Sequence, residues 1–127
     1  MLGAVANQGV RLTSPVATIV APLIAGVQTL WQQSNWVNQL GAKTAKIKRL
    51  KVTNGGLANT WLYIGTGLTA PTFVRAFRLR IIAGMNDDYE EGDLPDVEFA
   101  ADITVWADAA AAAPNEVEVR AEIEEIG

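Results

Sequence analysis

The chain has 127 residues, a formal net charge of −4, half of its residues apolar, and neither cysteine nor histidine. That length suits one domain burying roughly two thirds of its unfolded surface, so a core needs no covalent staple. Without Cys or His there is no disulfide framework, thiolate or imidazole metal site, Ser-His-Asp triad or Cys-His pair.

Residues 1–14 read as an apolar arm, punctuated by Gly3, Asn7 and Gly9. Such an arm is costly to leave in water and is expected to pack on its own domain or on a neighbour. Residues 15–127 read as one β domain. Pro15, Pro22 and Gly26 cut the next stretch into short strand pieces, Thr18–Val20 and Val27–Trp31. The polar segment Gln32–Leu40 reads equally as a helical turn or a loop. The longest apolar run, residues 16–27, is interrupted by Pro22 and lacks basic flanks, so neither a membrane span nor a signal peptide is expected. A chain made and kept in a cytoplasm follows.

Lys46–Thr53 is the first clear strand, with Ile47 opposite Lys46 and Lys48 and then Leu50 and Val52 on the apolar side. The change of parity at Lys48-Arg49 predicts a β-bulge. Asn54-Gly55-Gly56 reads as a turn that makes a hairpin with the strand Asn59–Gly65. Phe73–Ala83 alternates, with Phe73, Phe77, Leu79, Ile81 and Ala83 inward and Arg78 and Arg80 outward. Asn86–Asp96 reads as a polar loop. Asp96–Ala107 alternates with Val97, Phe99, Ala101, Ile103 and Val105 inward and Trp106 outward. Ala109–Pro114 reads as a helical turn or loop. Glu116–Ile126 is the last strand, with Val117, Val119, Ala121 and Ile123 inward. Short strands between turn signals predict an all-β antiparallel sandwich or barrel.

The charge map is the most informative feature. All nine cations before Asp87, including Lys46, Lys48, Arg49, Lys51, Arg78 and Arg80, lie in a stretch without Asp or Glu, whereas all fourteen carboxylates follow from Asp87 onward beside the single Arg120. Three arrangements account for such a split. Basic and acidic strands can neutralise each other inside one sheet. The two halves can form complementary surfaces that meet between subunits. Or the basic segment can contact nucleic acid, which the acidic total disfavours. Under the second arrangement Asp87, Asp88, Glu90, Glu91 and Asp93 would complement the basic face on the same or a neighbouring chain.

The same acidic cluster is the one metal-like feature, but its spacing is not that of an EF-hand, and no metal or cofactor is expected. Gly65-Thr66-Gly67 and Asn54-Gly55-Gly56 match no phosphate loop and read as turns. No carboxylate pair stands out as a glycosidase dyad, so no catalytic residue is assigned and an enzyme is not expected. Trp31 and Trp36 read as core or interface residues. Trp61 and Trp106, beside charged parities, read as interface anchors.

Five segments together resemble small tailed-phage virion proteins of the decoration, cement or head-fibre kind. They are IKRLKVTN from Ile47, TWLYIGTG from Thr60, Ile82-Ala83-Gly84 with the acidic segment, ADITV from Ala101 and EVEV from Glu116. The resemblance covers about two thirds of the chain, excludes the first 45 residues, and carries no residue-level site. It implies a jelly-roll-like sandwich that forms homo-oligomers, often trimers, and caps joints between major capsid protein subunits on the virion. A head-closure or tail ring component is the nearest alternative. A β module binding glycan or nucleic acid through its tryptophans and basic strand is the alternative from another class.

Overall fold

The computed structural model describes residues 10–13, 17–19, 27–35, 44–55, 59–107 and 117–126. Nine strands occur in them: β1 Val10–Thr13, β2 Ala17–Ile19, β3 Gln28–Gln32, β4 Thr44–Asn54, β5 Thr60–Thr66, β6 Val74–Ile81, β7 Asn86–Glu90, β8 Asp102–Ala107 and β9 Val117–Ile126. They form two antiparallel sheets and, among the described residues, no α-helix. The first sheet runs β1-β9-β4-β7, with β2 also paired to β9; the second runs β3-β8-β5-β6.

One core joins the sheets. The first contributes Ile47, Leu50, Val52, Val117, Val119, Ala121 and Ile123, and the second Leu62, Ile64, Phe77, Ile81, Ile103 and Val105. Each set is the apolar parity of its strands, so the period-two pattern of the sequence becomes an inner face. The expected bulge in β4 is present: Ile47 pairs with Ile123 and Arg49 with Glu122, leaving Lys48 as the extra residue. It lets Ile47 and Leu50, three positions apart, both face inward.

Three local expectations are corrected. First, β4 and β5 do not make a hairpin. β4 pairs with β7 and β9, β5 pairs with β6 and β8, and the chain crosses between sheets after Asn54. Asn54 is buried at that crossing; its backbone N–H donates to the Met85 carbonyl (3.0 Å) and its carbonyl accepts from Gly84 N–H (2.8 Å). Asn54 therefore ends β4 at a crossing between sheets, and Gly56 lies outside the described residues. Second, Asn86–Glu90 is a strand and not a loop, because β4 supplies the ladder and Tyr89 turns inward beside Leu50. Third, β8 starts only at Asp102. Residues 94–101 are irregular apart from one bridge between Phe99 and Ala45, and Ala101 is exposed.

Three glycines are required by geometry, Gly65, Gly67 and Gly84. At Gly65 a Cβ would sit 2.1 Å from the Val74 carbonyl oxygen, where a bulge in β6 brings the backbones together. Gly84 takes φ +76° in the turn from β6 to β7. Residues 10–13, the end of the segment read as an arm, form β1 against β9. Residues 1–9, Val20, Trp36 and the Ala109–Pro114 segment lie outside the described residues; Gln33–Asn35 form a 3-10 turn.

Candidate functional site

The outer faces of the two sheets are chemically different. On the first sheet three of the four cations of β4, Lys46, Lys48 and Arg49, lie beside carboxylates. Arg49 donates to Asp88 through two nitrogens, Nε at 2.9 Å and Nη2 at 2.5 Å, and lies 3.8 Å from Glu122. Lys46 donates to Asp96 at 2.7 Å, and Lys48 bonds Glu91 and lies 3.7 Å from Glu124. These contacts move the ionisations as expected. The Arg49 hydrogen bond holds the Asp88 carboxyl below its ordinary 3.8, and the Lys46 hydrogen bond does the same for Asp96. Lys46 and Arg49 are held protonated more firmly in return. Of the interface candidates in the sequence, Lys46, Lys48, Arg49, Asp88 and Glu91 thus pair within the chain. The charge split is, to this extent, strands neutralising each other in one sheet. Lys51 lies between Asp88 on β7 and Arg120 on β9. Asp87 faces inward beside Tyr89, whose phenol is pushed above 10.0 mainly by burial and further by Asp87. Asp93 accepts from Glu90 N–H at 3.1 Å and caps a short 3-10 turn at 91–93.

The second sheet presents aromatic rings and arginines outward. Trp61 and Tyr63 share a parity on β5, where Trp61 pairs with Arg80, and Tyr63 with Arg78 on one side and Trp106 on the other. The Trp106 and Tyr63 rings stack at 4.3 Å with planes 14° apart, and Phe73 meets Trp106 edge-on at 6.2 Å. The Arg78 guanidinium lies 4.0 Å from the Trp61 ring centre, Arg80 5.3 Å from the same ring, and Arg75 6.0 Å from Tyr63. Among the described residues no carboxylate pairs with Arg75, Arg78 or Arg80. Here the expected single basic face divides: Arg78 and Arg80 lie on the second sheet and the β4 cations on the first, each facing away from the shared core.

The chain then covers one end of this face. Segment 67–73 crosses it, and Thr104, of outward parity, is fully buried and donates to the Gly67 carbonyl at 3.0 Å. The Trp106 Nε1 is enclosed without an acceptor among the described residues. Tyr63 and Arg75 belong to the face but were missed by sequence reasoning; the parity of Tyr63 with Trp61 was the available signal. Also missed was Glu125, a fully buried carboxylate on the inner parity of β9 that accepts from Trp31 Nε1 of the opposite sheet at 2.8 Å.

Depressions in the surface are lined by charged side chains on and beside the first sheet, one by Arg49, Lys51, Arg120 and Glu122, another by Lys46, Lys48, Glu91 and Asp96. Among the described residues no three carboxylates gather as metal ligands, and no helix is long and apolar enough to cross a membrane. No protein-family model matches the sequence, and no curated protein resembles it closely enough to count as a relative.

Proposed function

We propose that this chain is a structural assembly protein of a phage virion, decorating or cementing the capsid through the outer face of its second sheet. One observation carries the reading. Lys46, Lys48 and Arg49 of β4 are paired with carboxylates inside the chain, while Arg75, Arg78 and Arg80 stand over Trp61 and Tyr63 with no carboxylate partner among the described residues. Trp, Tyr and Arg are the residue types that anchor protein interfaces, and ring-stacked guanidinium groups lose little freedom on docking.

The strand orders support a jelly roll as the specific fold. With β1 and β2 taken as one interrupted strand, the two four-stranded paths alternate as two interleaved Greek keys do. Jelly rolls recur in viral capsid domains and in lectins. The resemblance of the IKRLKVTN and TWLYIGTG segments to capsid-decorating proteins favours the first.

The test is co-sedimentation with empty capsids of the phage whose genome encodes the chain. The wild-type protein pellets with the shells, and W61A or R78A/R80A reduces retention at least tenfold with an unchanged urea midpoint. Equal retention of all three proteins would remove this face from the proposal.

The same arrangement favours one second reading, a module that stacks nucleic-acid bases on its rings and holds phosphates with its arginines. Filter binding to a single-stranded oligonucleotide across a salt series separates the two. A steep salt dependence selects the module, and no retention at low salt eliminates it.

A further inference from the structure

We infer that two copies of this chain pair edge to edge, β6 of each against β7 of the other. The inference rests on the assembly reading and names a second copy as one partner. Among the described residues β7 ends the first sheet opposite β1 and β6 ends the second opposite β3, and the short turn at 82–85 joins them, so these two edges lie on one flank. Exposed strand edges carry unpaired backbone donors and acceptors ready for another strand.

Their side chains are complementary. β6 carries Arg75, Arg78 and Arg80 and no acid, whereas β7 carries Asp87, Asp88 and Glu90 and no cation, with Asp87 turned inward, Asp88 already bonded to Arg49 and Glu90 outward. The flank also carries exposed apolar side chains. Of the four most exposed large apolar residues among those described, Val74 lies on β6 and Ile82 and Met85 in the turn, at 64, 44 and 50 % exposure, while Leu68 lies in the segment before β6.

Symmetry selects between two ways of joining the flanks. A two-fold axis perpendicular to the sheets sets β6 beside β6 and β7 beside β7, and like charges then oppose each other. A two-fold axis parallel to the strands exchanges the layers, so each β7 lies antiparallel to the partner's β6, twice, in a closed dimer. One register then sets Asp88 opposite Arg80 and Glu90 opposite Arg78 on the same outer face. On the inner side it brings Leu79 to Tyr89, both only partly buried in the single chain. Edge arginines also serve in many sheets to repel other strands; the uncharged turn and the acidic β7 beside them favour pairing here.

Light scattering with a charge exchange tests the dimer. The wild-type chain has twice the chain mass at low salt. R78E and E90R each shift the equilibrium toward monomer at least tenfold, and R78E/E90R restores the dimer, since the exchanged charges meet again at both contacts. The sequence has no cysteine, so a mixture of R78C and E90C gives a mixed disulfide under mild oxidation. A wild-type monomer at low salt, a double variant no better than the singles, or R78C bridging only to itself would each overturn the pairing. A monomer that still pellets with capsids refutes the dimer alone, whereas a dimer that does not pellet refutes the capsid role alone.

Discussion

At the scale of single residues, the ion pairs of β4 set the response to acid. Arg49 and Lys46 hold Asp88 and Asp96 below the ordinary 3.8, so the folded chain binds those protons more weakly than the unfolded one. The stability they lend is complete above that value and disappears as pH falls through the lower folded values. At the alkaline end the signs reverse. Lys46 and Tyr89 are both raised, so their contributions are complete below their ordinary values of 10.5 and 10.0 and are lost as pH rises through the folded ones. Urea midpoints against pH therefore show a plateau with two falling limbs, and D88N/D96N flattens the acid limb. An acid limb unchanged in that variant would place the sensitivity elsewhere. The Trp31–Glu125 bond gives a second residue-scale expectation. W31F removes a donor to a fully buried carboxylate and costs about 1–3 kcal/mol by urea unfolding, besides the change in ring volume.

At the scale of elements, strands with an apolar parity were legible in the sequence, and so was the bulge at Lys48. β4, β6 and β9 follow from alternation because one face of each meets the core. β7 was not legible: Asn86-Asp87-Asp88-Tyr89-Glu90 has a single apolar residue, and its strand state comes from a cationic neighbour that lies far back in the chain. Local propensity cannot see such a partner. The β4–β5 hairpin failed for a related reason. Asn54-Gly55-Gly56 announces a change of direction but not which sheet the chain enters next. Of the candidate site, Trp61, Arg78, Arg80 and Trp106 came from parity, while their separation from the β4 cations needed the topology. Gly65 supplies the test at this scale. G65A forces a Cβ against the Val74 carbonyl and costs about 1–3 kcal/mol, read as a lower urea midpoint, whereas G92A, with open space around it, leaves the midpoint unchanged.

At the scale of the whole molecule, the sheets depend on strands distant in sequence. β9 lies between β4 and the paired β1 and β2, and β8 lies between β3 and β5. Removing residues 117–126 takes the middle out of the first sheet, and such a chain is expected to lose its cooperative thermal transition and its near-ultraviolet dichroism. A cooperative transition in the truncated chain would show that the second sheet folds by itself. Salt acts at this scale too. Screening to a Debye length of roughly 3 Å at 1 M weakens the exposed pairs of β4 and leaves the shared apolar core in place.

Those two central strands have a consequence for synthesis. A ribosome delivers residues 1–86 before the rest, and that stretch holds nine basic residues and no carboxylate. Neither sheet can close until β8 and then β9 have emerged, and the long sequence separations make closure slow relative to local structure. Residues 87–127 then supply the opposite charge and both missing central strands in one stretch.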